Sequence, residues 1–496
     1  MQATTTETAI SKTLLDPSVW EKRYFDGAWK LAPITLQVRE PATGIELGVA
    51  GAGTAELAAQ LTDQAARAQP KWAATSPDDR ARIMRQAARI IEDNTADIAS
   101  WIIRETGGVP AKAGYEVAMA IGELYHSAAL LTQPIGQILP SANTERMSLA
   151  RRVPVGVVSV ITPWNVPLVL SMRSVAPALA LGNAVVLKPD PQTPVCGGYL
   201  LARIFEEAGL PPGIFAVVPG GAEVGEALVT APAVRLVTFT GSSAVGRRVG
   251  ELAGRNLKKV SLELGGNSPM LVLDDCDLDA ASSAGAWGSF LHQGQVCMAT
   301  SRHIVLRSVA NAYLERLAAR AAALPIGDPF RKEVAIGPLI SEKQLNRVDG
   351  IVKDSVAAGA ELVTGGTHDG LFYKPTVLGN VATETRAFQE EIFGPVAPVT
   401  IAEDDDHAIE LANSTGYGLA AAVQTGSVER GLRVAGKLKA GMVHVNDQTI
   451  ADHPGIPMGG MGQSGNGARF GSTTNLDEFT EWQWVTVSGE PARYPF

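Results

Sequence analysis

The sequence predicts an α/β protein built on two parallel sheets, and three observations predict it. Short apolar runs have strand length, helix-length segments separate them, and this alternation begins near residue 155 and starts afresh near residue 270. Before residue 155 the chain reads as mainly helical for its first hundred residues. There Ile83, Met84, Ala87, Ile90, Ile91, Ile98 and Trp101 recur at three- to four-residue spacing and form one apolar face. Ser76-Pro77 is a start signal and Gly107 a stop. The first strand series is 155–161, 184–187, 215–218, 236–239 and 260–264, joined by right-handed crossovers. The second is 270–273, 303–306, 396–401, 419–424 and 442–446, with a helix over 341–358 among its connections. Segments 137–152 and 482–487 lack helical spacing and read as edge strands, which points to pairing with a partner subunit.

Composition removes several function classes. With 42 Lys and Arg against 51 Asp and Glu, the net charge of −9 offers no basic excess for a nucleic-acid backbone. Hydrophobic residues at 46% with 19% charged exclude disorder for most of the 496 residues, a length that suits two to four domains. The uncharged stretch from Val153 to Met172 has the length of a membrane span. Pro154, Pro163 and Pro167 make it a buried strand followed by a proline-rich loop instead. The opening MQATTTETAI lacks the pattern of a signal peptide, and three cysteines are too few for a disulfide framework, so a reducing cytoplasm is expected. No metal-ligand cluster stands out among seven histidines and three cysteines. The acidic run Asp404–Asp406 reads as the first turn of a helix.

The one literal G-x-G-x-x-G, Gly460 to Gly465, neither follows a clear strand nor opens a helix, and reads as a loop near a substrate mouth. Thr240-Gly241-Ser242 ends an apolar strand and precedes a helix containing Gly246. Such a turn is either an ordinary βα connection or an anion site at a helix N-terminus. Cys297 lies in a loop between an alanine-rich helix and a strand, where it is either a small buried hydrophobe or a nucleophile. Cys276 stands between Asp275 and Asp277, which oppose a thiolate, and Cys196 reads as packing. Glu263 interrupts an apolar strand before Gly265-Gly266, a costly position for a carboxylate unless it is paired or serves as a general base. Asn165 in Pro163-Trp164-Asn165 is a turn former or an N–H donor for an oxyanion. His292 reads as a helix-end histidine with an ordinary hydrogen bond.

Taken in order, Pro163-Trp164-Asn165, Lys188-Pro189 with Thr193-Pro194, Phe239-Thr240-Gly241-Ser242, Leu262-Glu263-Leu264-Gly265-Gly266, Gly294-Gln295-Val296-Cys297 and Glu391-Ile392-Phe393-Gly394-Pro395 resemble the aldehyde dehydrogenase superfamily over about residues 20 to 487. Within it, His292 to Arg302 and the tail Glu490 to Phe496 look like the benzaldehyde dehydrogenase branch, beside vanillin and salicylaldehyde dehydrogenases.

The resemblance implies a dinucleotide-binding domain over 1–136 and 154–264, a catalytic domain over 265–472, and a bridging element over 137–153 and 473–496 that makes dimers or tetramers. It implies Cys297 as nucleophile, Asn165 as oxyanion donor and Glu263 as base for the deacylating water, giving a free acid through a thiohemiacetal and a thioester. Lys188 would contact the adenosine ribose, Gly241 and Ser242 the pyrophosphate, and Glu391 with Phe393 the nicotinamide riboside, while Trp164 lines the cofactor site. Cys297 would need activation by nearby dipoles or by Glu263. Val166, Arg173, Met298 and Met458 are the expected substrate wall, suited to an aromatic ring, although Arg173 leaves a carboxylate-bearing semialdehyde as the alternative. A thiol hydrolase or acyltransferase without a redox step is the competing class, and a catalytically silent binding protein a third. The expected cofactor is NAD, with NADP accepted, because Pro191 stands where many NAD-specific relatives carry a glutamate. Asp190 points to the wrong side if that segment stays extended, and Pro191 itself reads as the start of the following helix.

Overall fold

The computed structural model describes residues 13–496, so the opening MQATTTETAI lies outside the described residues. Two seven-stranded sheets organise the chain. The first runs, edge to edge, Lys259–Glu263, Val234–Thr240, Val157–Ile161, Ala184–Lys188, Phe215–Val217, Arg23–Phe25 and Trp29–Leu31. Its first five strands are mutually parallel and the last two form an antiparallel edge. Strands Val157–Ile161 and Ala184–Lys188 are buried along their whole length, which is why they read as unbroken apolar runs.

Chain order reverses on either side of Val157–Ile161, since Ala184–Lys188 lies to one side and Val234–Thr240 to the other. A crevice opens beyond the carboxyl ends of strands at such a switch point. The loops that leave these strands carry Pro163-Trp164-Asn165 and Gly241-Ser242.

The second sheet runs Glu361–Thr364, Thr376–Gly379, Val396–Ala402, Thr300–Leu306, Ser268–Val272, Ala420–Gln424 and Met442–Val445. All its neighbours are parallel except the first pair. A third, antiparallel sheet joins Thr480–Ser488, Arg146–Pro154 and Gly136–Leu139. The two expected edge segments therefore pair with each other, from Thr480 opposite Pro154 to Ser488 opposite Arg146. Trp482, Trp484 and Met147 stay exposed on this sheet.

Two expectations need refinement. Helix predominates over residues 13–100, but four strands that the pattern did not show, Arg23–Phe25, Trp29–Leu31, Ile34–Arg39 and Glu46–Ala52, precede the first long helix, Ala55–Ala73. Ile34–Arg39 buries only Val38, so it gives no alternating apolar signal. The helix that starts at Ser76 also breaks before Gly107. Asn94 ends Pro77–Asp93 and precedes Thr95–Thr106, after which Gly107 adopts the left-handed cap at φ 70°. The acidic run behaves as expected, with Asp404 accepting from the His407 N–H to open Asp405–Ala412.

Candidate active site

A strained turn presents Cys297. His292, Gln293 and Gly294 follow one another in the left-handed region, at φ 50°, 57° and 67°. Two such non-glycine residues cost about 1–3 kcal/mol each and persist only where the surroundings impose them. Here the Gln293 amide donates to the carbonyls of Gly107 and Pro338, both at 2.8 Å, and Gln295 Oε1 accepts from the Ile340 N–H at 3.0 Å. A Cβ on Gly294 would lie 2.1 Å from the Gly394 carbonyl oxygen, so only glycine fits. The clamped turn carries Cys297 to the junction of two cavities.

The smaller cavity, about 50 Å³, is bordered by Val166, Val169, Leu170, Arg173, Leu291, Val296, Met298, Ile450 and Met458, with Asn165 and Cys297 at one end. All four expected wall residues are among these. The larger cavity, about 710 Å³, is bordered by Trp164, Gly241, Ser242, Arg247, Lys343, Gln344, Glu391, Phe393 and Gln463, and reaches Asn165 and Cys297 from the other side.

Around the thiol, buried polar atoms stand without protein partners. Glu263 ends its strand 4% exposed with neither carboxylate oxygen hydrogen-bonded. Burial pushes its pKa well above the usual carboxylate range, opposed by Arg469 and Arg173. Asn165 Nδ2 donates to the Gln295 carbonyl at 2.9 Å, which leaves its second N–H for another acceptor, and its Oδ1 is unpartnered. Cys297 is pushed up to about 12, by burial first and then by Glu391, Glu263 and Asp452. His292 is fully buried, and burial, then the Lys112 charge, holds its pKa well below the ordinary imidazole value, opposed by a contact with the Asn165 backbone.

Arg173 is not free to meet a ligand charge. Its Nε donates to Glu123 at 3.0 Å and its Nη2 to Asp452 at 2.7 Å, and all three side chains are buried. Sequence reasoning missed both carboxylates. Glu123 carried a signal, an acid between Val117, Ala120 and Leu124 on one helix face, but nothing marked Asp452, 279 residues from Arg173.

The larger cavity suits a dinucleotide. Ser242 caps the helix Ser243–Arg255, whose first N–H groups, with Arg247 and Lys343 nearby, favour an anion. Trp164 and Phe393 meet edge to face at 5.3 Å and form a flat wall, and Phe393 holds φ 56°. Glu391 Oε1 accepts from the Gly266 N–H at 2.9 Å, and burial pushes its carboxyl up to about 7. Lys188 is buried at its strand end, with Nζ donating to the Pro189 carbonyl at 3.4 Å, and does not border this cavity. Asp190 does border it. The segment turns at Pro191-Gln192 instead of staying extended or starting a helix, and Asp190 Oδ1 accepts from the Gln192 N–H. The Gly460–Gly465 segment packs on the strand end, where Leu264 N–H donates to the Ser464 carbonyl, and Gln463 borders the larger cavity.

The remaining cysteines lack these surroundings. Cys196 is fully buried with its pKa raised, and Cys276 is pushed up to about 11 by burial and then Asp275. Among the described residues no group of three or more His, Cys, Asp or Glu could hold a metal, and no helix is long and apolar enough to cross a membrane.

Residues 30–485 match the model of the aldehyde dehydrogenase family. The chain belongs to that family. Among aldehyde dehydrogenases it is similar to a vanillin dehydrogenase of Amycolatopsis sp., 50% identical over 98% of this chain and 100% of the relative. A benzaldehyde dehydrogenase [NAD(+)] of Pseudomonas putida is 48% identical over 96% of this chain and 98% of the relative. The crystal structure of a salicylaldehyde dehydrogenase from Pseudomonas putida G7, complexed with salicylaldehyde, matches with a TM-score of 0.93 at 33% identity, covering 96% of this chain and 99% of that one. The two-sheet architecture is thus the aldehyde dehydrogenase fold.

Proposed function

We propose that this chain oxidises an aromatic aldehyde to its carboxylic acid with NAD as acceptor, through covalent intermediates on Cys297. The observation that carries the reading is the position of Cys297, where a small apolar pocket meets a dinucleotide-sized cavity beside unpartnered groups of Asn165 and Glu263. Vanillin, benzaldehyde and salicylaldehyde dehydrogenases as relatives support the aromatic class.

Bound in the larger cavity, the oxidised cofactor supplies the hydride acceptor and a positive charge that favours the thiolate. Gly241, Ser242 and the helix start behind them would hold its phosphates, and Trp164, Glu391 and Phe393 its nicotinamide end, whereas Lys188, outside the lining of this cavity, would have to turn its Nζ from the Pro189 carbonyl to reach the adenosine ribose. Cys297 Sγ adds to the aldehyde carbon, and the free N–H of Asn165 with the Cys297 backbone N–H holds the oxyanion. After oxidation to the thioester, Glu263 takes a proton from a water, and the acid leaves. Glu263 suits this step because no protein donor competes for its oxygens.

The Arg173 geometry argues against a carboxylate-bearing semialdehyde. Its one positive charge faces two carboxylates, so an anionic substrate meets net negative charge. A non-redox hydrolase has no use for the larger cavity. The domain limits at 1–136 with 154–264, 265–472, and 137–153 with 473–496 belong to the same proposal, as does a homodimer or homotetramer.

Absorbance of the reduced cofactor, followed with benzaldehyde, vanillin, a short aliphatic aldehyde and succinate semialdehyde, tests it. The aromatic aldehydes should lead in kcat/KM by the equivalent of about 1–3 kcal/mol. A lead for succinate semialdehyde overturns the substrate class, and aldehyde-independent ester hydrolysis without cofactor reduction overturns the reaction.

A further inference from the structure

The helix Pro167–Ala180, which follows Asn165 directly, cannot cap itself. Its N-cap residue is Val166, which has no side-chain acceptor, and Pro167 has no N–H. The cap comes from another helix, Pro110–Leu130. Glu116 Oε1 accepts from the Leu168 N–H at 2.7 Å, three residues after Asn165. Glu116 is fully buried, and its other oxygen, Oε2, is paired with Lys112, one turn earlier and 4% exposed. Lys112 borders the same apolar cavity as Asn165 and Cys297.

Two buried charges are thus placed against the turn that carries the oxyanion donor. A buried ion pair contributes little net stability, because desolvation offsets the attraction, so stability alone does not account for it. We propose that the Lys112–Glu116 pair is a positioning device for Asn165: the Glu116 side-chain oxygen fixes the first turn of the helix behind Asn165, and Lys112 balances the charge that this carboxylate buries. The proposal rests on the oxyanion role of Asn165 given above. Asn165 is itself a buried side chain whose amide needs a defined aim, one N–H already being spent on the Gln295 carbonyl.

Glu105 shows the same device without a cation. It accepts from the Val195 and Cys196 N–H groups, at 2.9 and 2.7 Å, at the start of the next helical segment of this sheet. No catalytic side chain precedes that start, and no lysine pairs with Glu105 among the described residues.

Two double variants separate positioning from burial, since neither retains a buried charge of the pair. Lys112→Met/Glu116→Gln keeps an oxygen acceptor for Leu168, and Lys112→Met/Glu116→Met does not. Single-turnover formation of reduced cofactor from benzaldehyde should stay within about threefold of the parent in the first and slow by about 10- to 100-fold in the second, the scale expected for small misplacements of a reacting group. In an Asn165→Ala background the difference between them should vanish, because the device then has nothing to aim. Equal rates for the two variants, or a difference that persists without Asn165, overturns the proposal. Asn165→Ala alone reports on the oxyanion role: a parental rate there removes that reading and the proposal with it, whereas a slowed rate with equal double variants removes only the proposal. Should Lys112→Met/Glu116→Met not fold, Glu116→Asp keeps the charge and draws the acceptor back by one methylene, and the same pair of outcomes decides.

Discussion

Two regions within a few residues of each other treat buried polar groups in opposite ways. Behind the alanine-rich helix, Ser289 Oγ donates to the Thr300 carbonyl and lies 2.7 Å from His303 Nε2, while His303 Nδ1 lies 2.8 Å from the Tyr313 hydroxyl. Both ring nitrogens of His303 are used, and the chain of contacts runs unbroken from the Thr300 carbonyl to the Tyr313 hydroxyl. Just downstream of Ser289, around Cys297, both oxygens of Glu263, Oδ1 of Asn165 and Oδ1 of Asp452 have no partner. A buried unpaired polar atom costs about 1–3 kcal/mol, and such groups are few in a folded chain. Their concentration at one thiol marks where a substrate, a water and a developing charge are to be received. The Ser-His-Tyr array looks the more catalytic in composition, but its groups are already committed to one another.

Substitutions on the two sides should therefore fail differently. The largest effect belongs to Cys297→Ala, which should reduce aldehyde-dependent cofactor reduction to background while cofactor binding, read by tryptophan fluorescence quenching, persists. Substantial remaining oxidation would place the nucleophile elsewhere.

His303→Phe should do the reverse. Leaving Ser289 and Tyr313 without their partner should cost about 2–5 kcal/mol in urea unfolding at pH 7, with kcat per folded molecule unchanged. Burial holds the His303 imidazole down to about 3, against an ordinary value near 6.5. A depressed histidine contributes stability in full above about pH 6.5 and loses it as pH falls towards 3, so the parent's advantage over the variant should shrink across that window. A difference that does not change between pH 7 and pH 4.5 would contradict this assignment.

The smallest expected effect is at the cofactor's ribose. Pro191→Glu should lower kcat/KM with NADP and raise the NAD preference, because Asp190, the one acid at this turn bordering the larger cavity, already accepts from Gln192. An unchanged ratio of the two kcat/KM values would put the selectivity in other residues.

Sequence reasoning reached the site at the points where apolar strands stop abruptly. Val157–Ile161 runs into Pro163-Trp164-Asn165, and Val234–Thr240 into Gly241-Ser242, so each loop is announced by loss of β pattern and by proline or glycine. Glu263 was legible because an acid inside an apolar strand has few structural excuses. What stayed hidden depends on contacts distant in sequence. The Gln293 clamp reaches Gly107, 186 residues away, and the neutralisation of Arg173 depends on Asp452. The left-handed turn at His292-Gln293 has no glycine until its third residue, so no local signal marks it. Likewise Arg23–Phe25 and Trp29–Leu31 are only three residues long and Ile34–Arg39 buries only Val38, so none of them carries a periodic apolar signal.

The central claim is that Glu263 is left unpartnered to serve hydrolysis rather than acylation. Stopped-flow absorbance of Glu263→Gln, mixed with benzaldehyde and NAD, tests it directly. A full initial burst of reduced cofactor should be followed by a steady state slowed by about 10²–10⁴, the scale of a lost general base. In the parent, the steady-state rate should rise with pH as Glu263 ionises above the usual carboxylate range, and the variant should lose that dependence. Equal loss of burst and steady state, or a variant that keeps the parent's pH profile, would contradict the account.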